Sequence, residues 1–192
     1  MMDRWGRGWH RVQRFADHPD PLVVASNWIA LIVASNQPLY PLYVQWVAGG
    51  GGMAAMLTWL STPFFACAPI VARRNSALGR AMLPLAGIFN SLLALSLFGA
   101  DAGLTLFLAP CLVLAGLCFR TDERSWSYGI VALAIAGYAC VVGLIGQPIV
   151  PLTQSAAAAL YEVNLISAAC LLILIGMTFS GATKSPDGHR PG

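Results

Sequence analysis

Six apolar runs dominate this sequence: 21–47, 53–71, 80–98, 102–118, 127–144 and 155–179. Each approaches the ~20 residues that a helix needs to cross the hydrocarbon core of a bilayer, the first run being long and the fourth short. The cations test this threading. Of the 11 Lys and Arg residues, Arg4, Arg7, Arg11 and Arg14 precede the first run, and Arg73, Arg74 and Arg80 follow the second. Arg120 and Arg124 follow the fourth, and Lys184 and Arg190 follow the sixth. The other three connections carry none, so every cation lies on one side. Cationic loops remain cytoplasmic. The pattern therefore predicts an all-α integral membrane protein, a bundle of six transmembrane helices with both termini cytoplasmic, in the plasma (inner) membrane of a bacterium. A miscounted run would scatter the cations over both faces. Composition agrees: 57% of the residues are hydrophobic and 10% charged, against about 25% charged in soluble domains.

Residues 1–20 form a segment of their own. Trp5, Trp9, Val12 and Ala16 recur at helical spacing on one face, and Arg4, Arg7, Arg11 and Arg14 gather opposite them. This predicts a basic amphipathic helix lying on the membrane surface, weakened by Gly6 and Gly8. The stretch "HPDP" then breaks the chain; Asp20 can cap the next helix and Pro21 suits its first turn. No apolar run in this segment is long enough for a signal peptide. Residues 21–179 make the membrane domain. Residues 180–192, polar and rich in Gly and Pro, read as a disordered cytoplasmic tail.

Several chemistries find no ligands here. His10, His18 and His189 all fall outside the apolar runs, so a histidine-held haem or metal in the membrane core is not expected. The five cysteines form no C-x-x-C pair and read as small packing residues. No catalytic or phosphate-binding motif is present, and no run holds a Lys or Arg in its interior. No cofactor, no catalytic residue and no nucleic-acid partner is expected; membrane lipid, a protein partner or a further copy of the chain is.

The open candidates are polar residues within the apolar runs. Glu162 is the one acid among them, about 10 Å below the outer end of the sixth helix at 1.5 Å rise per residue. Ser155, Ala158, Ala159 and Ala169 share its stripe and partly support an inward face, against the larger Leu165 and Ile166 one turn further on. It reads either as a proton-linked or ligand-pairing carboxylate or as a neutral group that joins helices. Asn36, Gln37, Gln45, Asn90, Tyr138 and Asn164 map to the middle or outer half. An outward-facing polar cavity would produce that bias, and so would hydrogen bonds between helices.

The stretch "SNQPLYPLYVQW", 35–46, sits where the first helix completes its crossing. Pro38 and Pro41 remove backbone donors, which predicts a kink or an end near Gln37. Tyr40, Tyr43 and Trp46 then read as an aromatic belt at the outer interface. A broken helix that builds a site is the alternative, and it would require Gln37, Gln45 and Glu162 to converge.

Residues 36–49, "NQPLYPLYVQWVAG", and 97–126, "LFGADAGLTLFLAPCLVLAGLCFRTDERSW", together resemble the six-helix membrane input regions of some bacterial nucleotide cyclases and related signalling proteins. The resemblance implies a sensory or membrane-anchoring module. This chain departs from that arrangement in having no output domain after the sixth run, so a separate partner would carry the signal. Three functions are thus in view. They are a non-enzymatic sensory-input or anchoring protein acting through a partner, a small transporter or channel using Glu162, and a membrane enzyme on a lipid or isoprenoid substrate. The last is disfavoured because no catalytic pair is visible.

Overall fold

The computed structural model describes residues 2–183, apart from the side chains of residues 2–7, 145 and 183. All regular structure among the described residues is helical. Five helical stretches are long and apolar enough to cross a bilayer, the make-up of a multi-pass membrane protein: Pro21–Ala48, Gly52–Ala72, Ser76–Phe98, Thr121–Leu144 and Gln154–Ala182. The expected fourth span is the exception. It forms the apolar stretch Leu104–Leu117, short of a full crossing length.

The chain opens with α1 (Met2–Ala16). Gly6 and Gly8 do not interrupt it. Of its expected apolar face Ala16 is buried and Trp9 lies 5.4 Å from Trp28, ring centre to ring centre, while Trp9 and Val12 remain exposed. The side chains of Arg4, Trp5 and Arg7 lie outside the described residues; Arg11 and Arg14 are exposed. The last carbonyls of a helix lack internal donors. Asn27 supplies one, its amide donating to Ala16 O at 3.0 Å.

Asp20 caps α2 (Pro21–Asn36) as the sequence predicts, accepting from the Leu22 N–H at 3.0 Å. A 3-10 turn, Gln37–Leu39, leads directly into α3 (Tyr40–Ala48). Gly49 and Gly51 adopt left-handed backbone (φ 67° and 82°), which residues with a Cβ resist. They reverse the chain into α4 (Gly52–Ala55), a 3-10 segment, Met56–Ser61, and α5 (Thr62–Ala72).

The next helix, α6 (Ser76–Phe98), is the centre of the bundle, with helices packed around it. Asn75 caps it, accepting from the Leu78 N–H at 3.0 Å. The helix therefore starts earlier than hydropathy suggested and draws Arg80 inside. Contrary to the expectation of no interior cation, Arg80 is 1% exposed.

A wound connection, including the 3-10 segments Ala100–Ala102 and Leu104–Phe107, leads into α7 (Leu108–Leu117). After a charged turn come α8 (Arg124–Cys140), its π-helical extension Val141–Ile145, and α9 (Gln154–Thr183). The expected tail is corrected at its start, since 180–183 continue α9; residues 184–192 lie outside the described residues.

The two ends of the bundle differ chemically. At one end Asp20 joins Arg120 (3.1 Å) and Ser76 (3.3 Å), Arg80 joins Glu123 (2.7 Å), and Arg73 donates to Phe15 O (3.3 Å). At the other end the closures are backbone or amide bonds. Ile149 and Val150 N–H donate to Ser96 and Leu97 O, at 3.1 and 2.8 Å, which satisfies carbonyls near the C-terminus of α6. Asn164 donates to Ala102 O at 2.8 Å.

Candidate functional site

The first two apolar helical stretches each contain a 3-10 segment, and the two segments face each other. In the first, proline is the cause. Pro41 has no N–H, so Gln37 O loses the donor that an α-helix would give it. The backbone tightens instead, and the Tyr40 N–H reaches Gln37 O. The Trp59 indole of the second stretch donates to the same carbonyl at 3.2 Å. In the second segment, the Thr58 hydroxyl donates to Ala55 O at 2.7 Å, a local bond that competes with regular helix.

Side chains join these segments to α6. The Gln37 amide donates to Ser61 Oγ at 2.6 Å. The single Ser61 proton lies between Thr58 O (2.7 Å) and Asn90 Oδ1 (3.0 Å). Gln37, Thr58 and Ser61 are all buried. With Asn90 accepting through Oδ1, its amide donors are left for the space beyond.

That space is a cavity of about 540 Å³, bounded by α2, α3, α5, α6, α7 and α9. Ligand pockets range over ~300–1,000 Å³. Its walls are mostly aliphatic and aromatic, with Ile29, Phe65, Leu83, Leu104, Phe107 and Leu171 among them. The polar lining is uncharged and comprises Ser35, Asn36, Gln37, Tyr40, Tyr43, Asn90, Ser91, Asn164 and Ser167, besides the thiols of Cys111 and Cys170. Ser91 is held by Gly87 O at 2.8 Å, and Asn164 by Ala102 O. The Tyr40 hydroxyl is different. It is buried beside Asn164 without making a hydrogen bond of good geometry.

Four of the seven polar candidates thus meet in one cavity: Asn36, Gln37, Asn90 and Asn164. The other three do not. Gln45 is exposed and accepts from the Gly52 N–H at 3.4 Å, bracing the turn between α3 and α4. Tyr138 lies on the exposed side of α8. Glu162 is exposed on α9, which corrects the expected inward face. The inward stripe of α9 is Ala157, Leu160, Asn164, Ala168 and Ile175, offset from the Ser155–Glu162 stripe by part of a turn. Glu162 also stands level with the connection after α6, because Asn164 two residues on is bonded to Ala102. Gln37, Gln45 and Glu162 do not converge, and the helix at Pro38–Pro41 is tightened and continuous.

The expected aromatic belt divides by helix face. Trp46 is 85% exposed, whereas Tyr40 turns its hydroxyl inward. Tyr40 and Ser61 are the site residues that sequence reasoning missed. Tyr40 is three residues from Tyr43, so the periodicity alone left its direction open.

At the charged end, Arg80 donates to both carboxylate oxygens of Glu123, at 2.7 and 2.9 Å, and to Cys118 O. Its guanidinium lies 5.7 Å from the centre of the Phe119 ring, which stacks on Trp126. Glu123 belongs to the loop ahead of the apolar part of α8. Its hydrogen bonds from Arg80 hold its carboxyl below the usual glutamate range.

No family model, curated protein or solved structure matches this chain.

Proposed function

We propose that this chain is a non-enzymatic multi-pass membrane protein of the sensory-input or anchoring type, which binds a small molecule within the bundle and acts through a protein partner. The cavity carries this reading. It is of ligand size, it is lined by hydroxyl and amide groups held on apolar walls, and no charged side chain lines it. Uncharged polar groups on apolar walls recognise a ligand; among the described residues that line the cavity no nucleophile is paired with a base. Coupled transport through Glu162 finds no support in the geometry, because that carboxylate lies outside the cavity.

The proposed topology has six crossings with both termini cytoplasmic. Two contacts support counting Leu104–Leu117 as a crossing. Arg80, near the start of α6, bonds Cys118 just past its end. Leu104 at its beginning packs in one cluster with Phe98 at the end of α6. The short stretch therefore runs nearly the length of α6, and its 3-10 start lengthens its reach at ~2.0 Å per residue. The joined charges at the other end support taking that end as the cytoplasmic face, where Arg120 and Arg124 would offer a surface to a partner.

Purification of the tagged chain from its own membrane in mild detergent, followed by native mass spectrometry, tests the reading. A stoichiometric partner protein is expected. A chain that always emerges without one would contradict a role through a partner. Alkaline phosphatase fused after Gly51 should be active and after Asn75 silent; the reverse would invert the topology.

A further inference from the structure

We propose that the cavity takes an uncharged amphiphile with a carbonyl headgroup, which enters sideways from the bilayer between α2–α3 and α9 and accepts a hydrogen bond from the Tyr40 hydroxyl. This rests on the cavity being a ligand site and names what the site holds and how it is reached.

The entrance follows from which lining residues are exposed. Ile32, Asn36 and Leu39 repeat at helical spacing along one edge of the cavity, and Ile166, Ser167 and Cys170 repeat along the facing edge of α9. All six are exposed while they line the cavity. The seam is closed at both ends. Val44 and Leu160 belong to one buried cluster beyond it, and Ile29 and Ile175 to another on the other side. A bounded window in the apolar belt of the helices opens toward lipid, so its traffic is lipophilic.

The headgroup follows from the polar lining. A buried hydroxyl without a hydrogen-bond partner is unfavourable, and the Tyr40 hydroxyl is one, at the wall of a space large enough for a ligand. Asn164 beside it donates one amide N–H to Ala102 O and meets the Tyr40 hydroxyl only at poor hydrogen-bond geometry. Asn90 contributes further N–H donors. The Ser35, Ser91 and Ser167 protons are held by backbone carbonyls, whereas the Tyr40 hydroxyl and the Asn90 amide are donors left to a ligand, and they select an acceptor. An ionised headgroup would enter with no counter-charge and lose its hydration. A neutral carbonyl with a hydrocarbon chain satisfies both demands, the chain leaving through the window. Such a carbonyl comes either from a free lipophile or from the ester of a neutral glycerolipid.

The test is equilibrium binding of tritiated 2-heptadecanone to the purified full chain, with n-heptadecane and dioleoylglycerol as competitors. Saturable binding near one per chain is expected, with heptadecane competing at least about tenfold more weakly. Tyr40→Phe should weaken ketone binding roughly three- to tenfold and leave heptadecane competition unchanged. Ser167→Trp, at an exposed position on the edge of the window, should block it and reduce both. Dioleoylglycerol competing as well as the ketone would identify a membrane lipid as the source; its failure to compete would identify a free lipophile. Unchanged ketone binding in Tyr40→Phe overturns the headgroup assignment, and unchanged binding in Ser167→Trp overturns the lateral entrance. A wild-type chain that binds neither ketone nor alkane removes the ligand site itself, a failure distinct from either.

Discussion

Arg80 and Glu123 form a two-point clasp, with guanidinium nitrogens 2.7 and 2.9 Å from the two carboxylate oxygens, between the second turn of α6 and the loop ahead of α8. The two partners are unequally placed, Arg80 being 1% exposed and Glu123 20%. Removing one should therefore differ from removing the other. Glu123→Ala strands a buried cation and should cost about 3–5 kcal/mol. Arg80→Met leaves a carboxylate that water can reach and should cost about 1–2 kcal/mol. The double variant should fall well below the sum of the two. Reversible unfolding in detergent measures all three.

The same clasp fixes a pH dependence. Arg80 lowers the Glu123 pKa in the folded state, so the folded chain holds fewer protons than the unfolded one in the acid range. Its stabilisation is complete above the unfolded glutamate pKa, about 4.3, and is lost as pH falls through the lower folded value. Unfolding curves from pH 7 to 3 should show this acid loss in the wild type and a smaller one in Glu123→Gln.

Gln37 O, which Pro41 cannot serve, accepts from the Trp59 indole as well as from the Tyr40 N–H. Trp59→Phe should cost about 1 kcal/mol through that carbonyl. In the Pro41→Ala background the restored N–H can serve Gln37 O, and the same change should cost less than half as much. A double-mutant cycle by thermal unfolding reads the coupling. Equal costs in both backgrounds would disprove the link.

Glu162→Gln removes the acid to which hydropathy drew attention. Its side chain is exposed and does not line the cavity. Stability should change by no more than about 0.5 kcal/mol, and binding of 2-heptadecanone should be unaltered. A large loss of binding would return Glu162 to the site.

Much of this was legible in the residues. Hydropathy located the apolar helices to within a few residues at most ends, because bilayer thickness sets their lengths. Asp20 and Pro21 announced the start of α2. The polar bias that gathers Asn36, Gln37, Asn90 and Asn164 was visible as a band of similar depth. Azimuth was not visible. In a lipid-exposed helix both faces are apolar, so the periodicity that orients a soluble helix is weak, and Glu162 and Tyr40 were turned the wrong way. Arg80 was hidden because its partner lies in a distant loop, and a lone cation at a helix end reads as a loop residue. Ser61 gave no signal, since hydroxyls within membrane helices commonly bond their own backbone.

The most direct measurement is native mass spectrometry of the chain released from its own membrane, wild type against Ser167→Trp. A bound neutral lipophile of one mass on the wild type, absent from the variant, is the expected result. No adduct on the wild type would contradict a ligand site in the bundle, and identical adducts on both would contradict its lateral entrance.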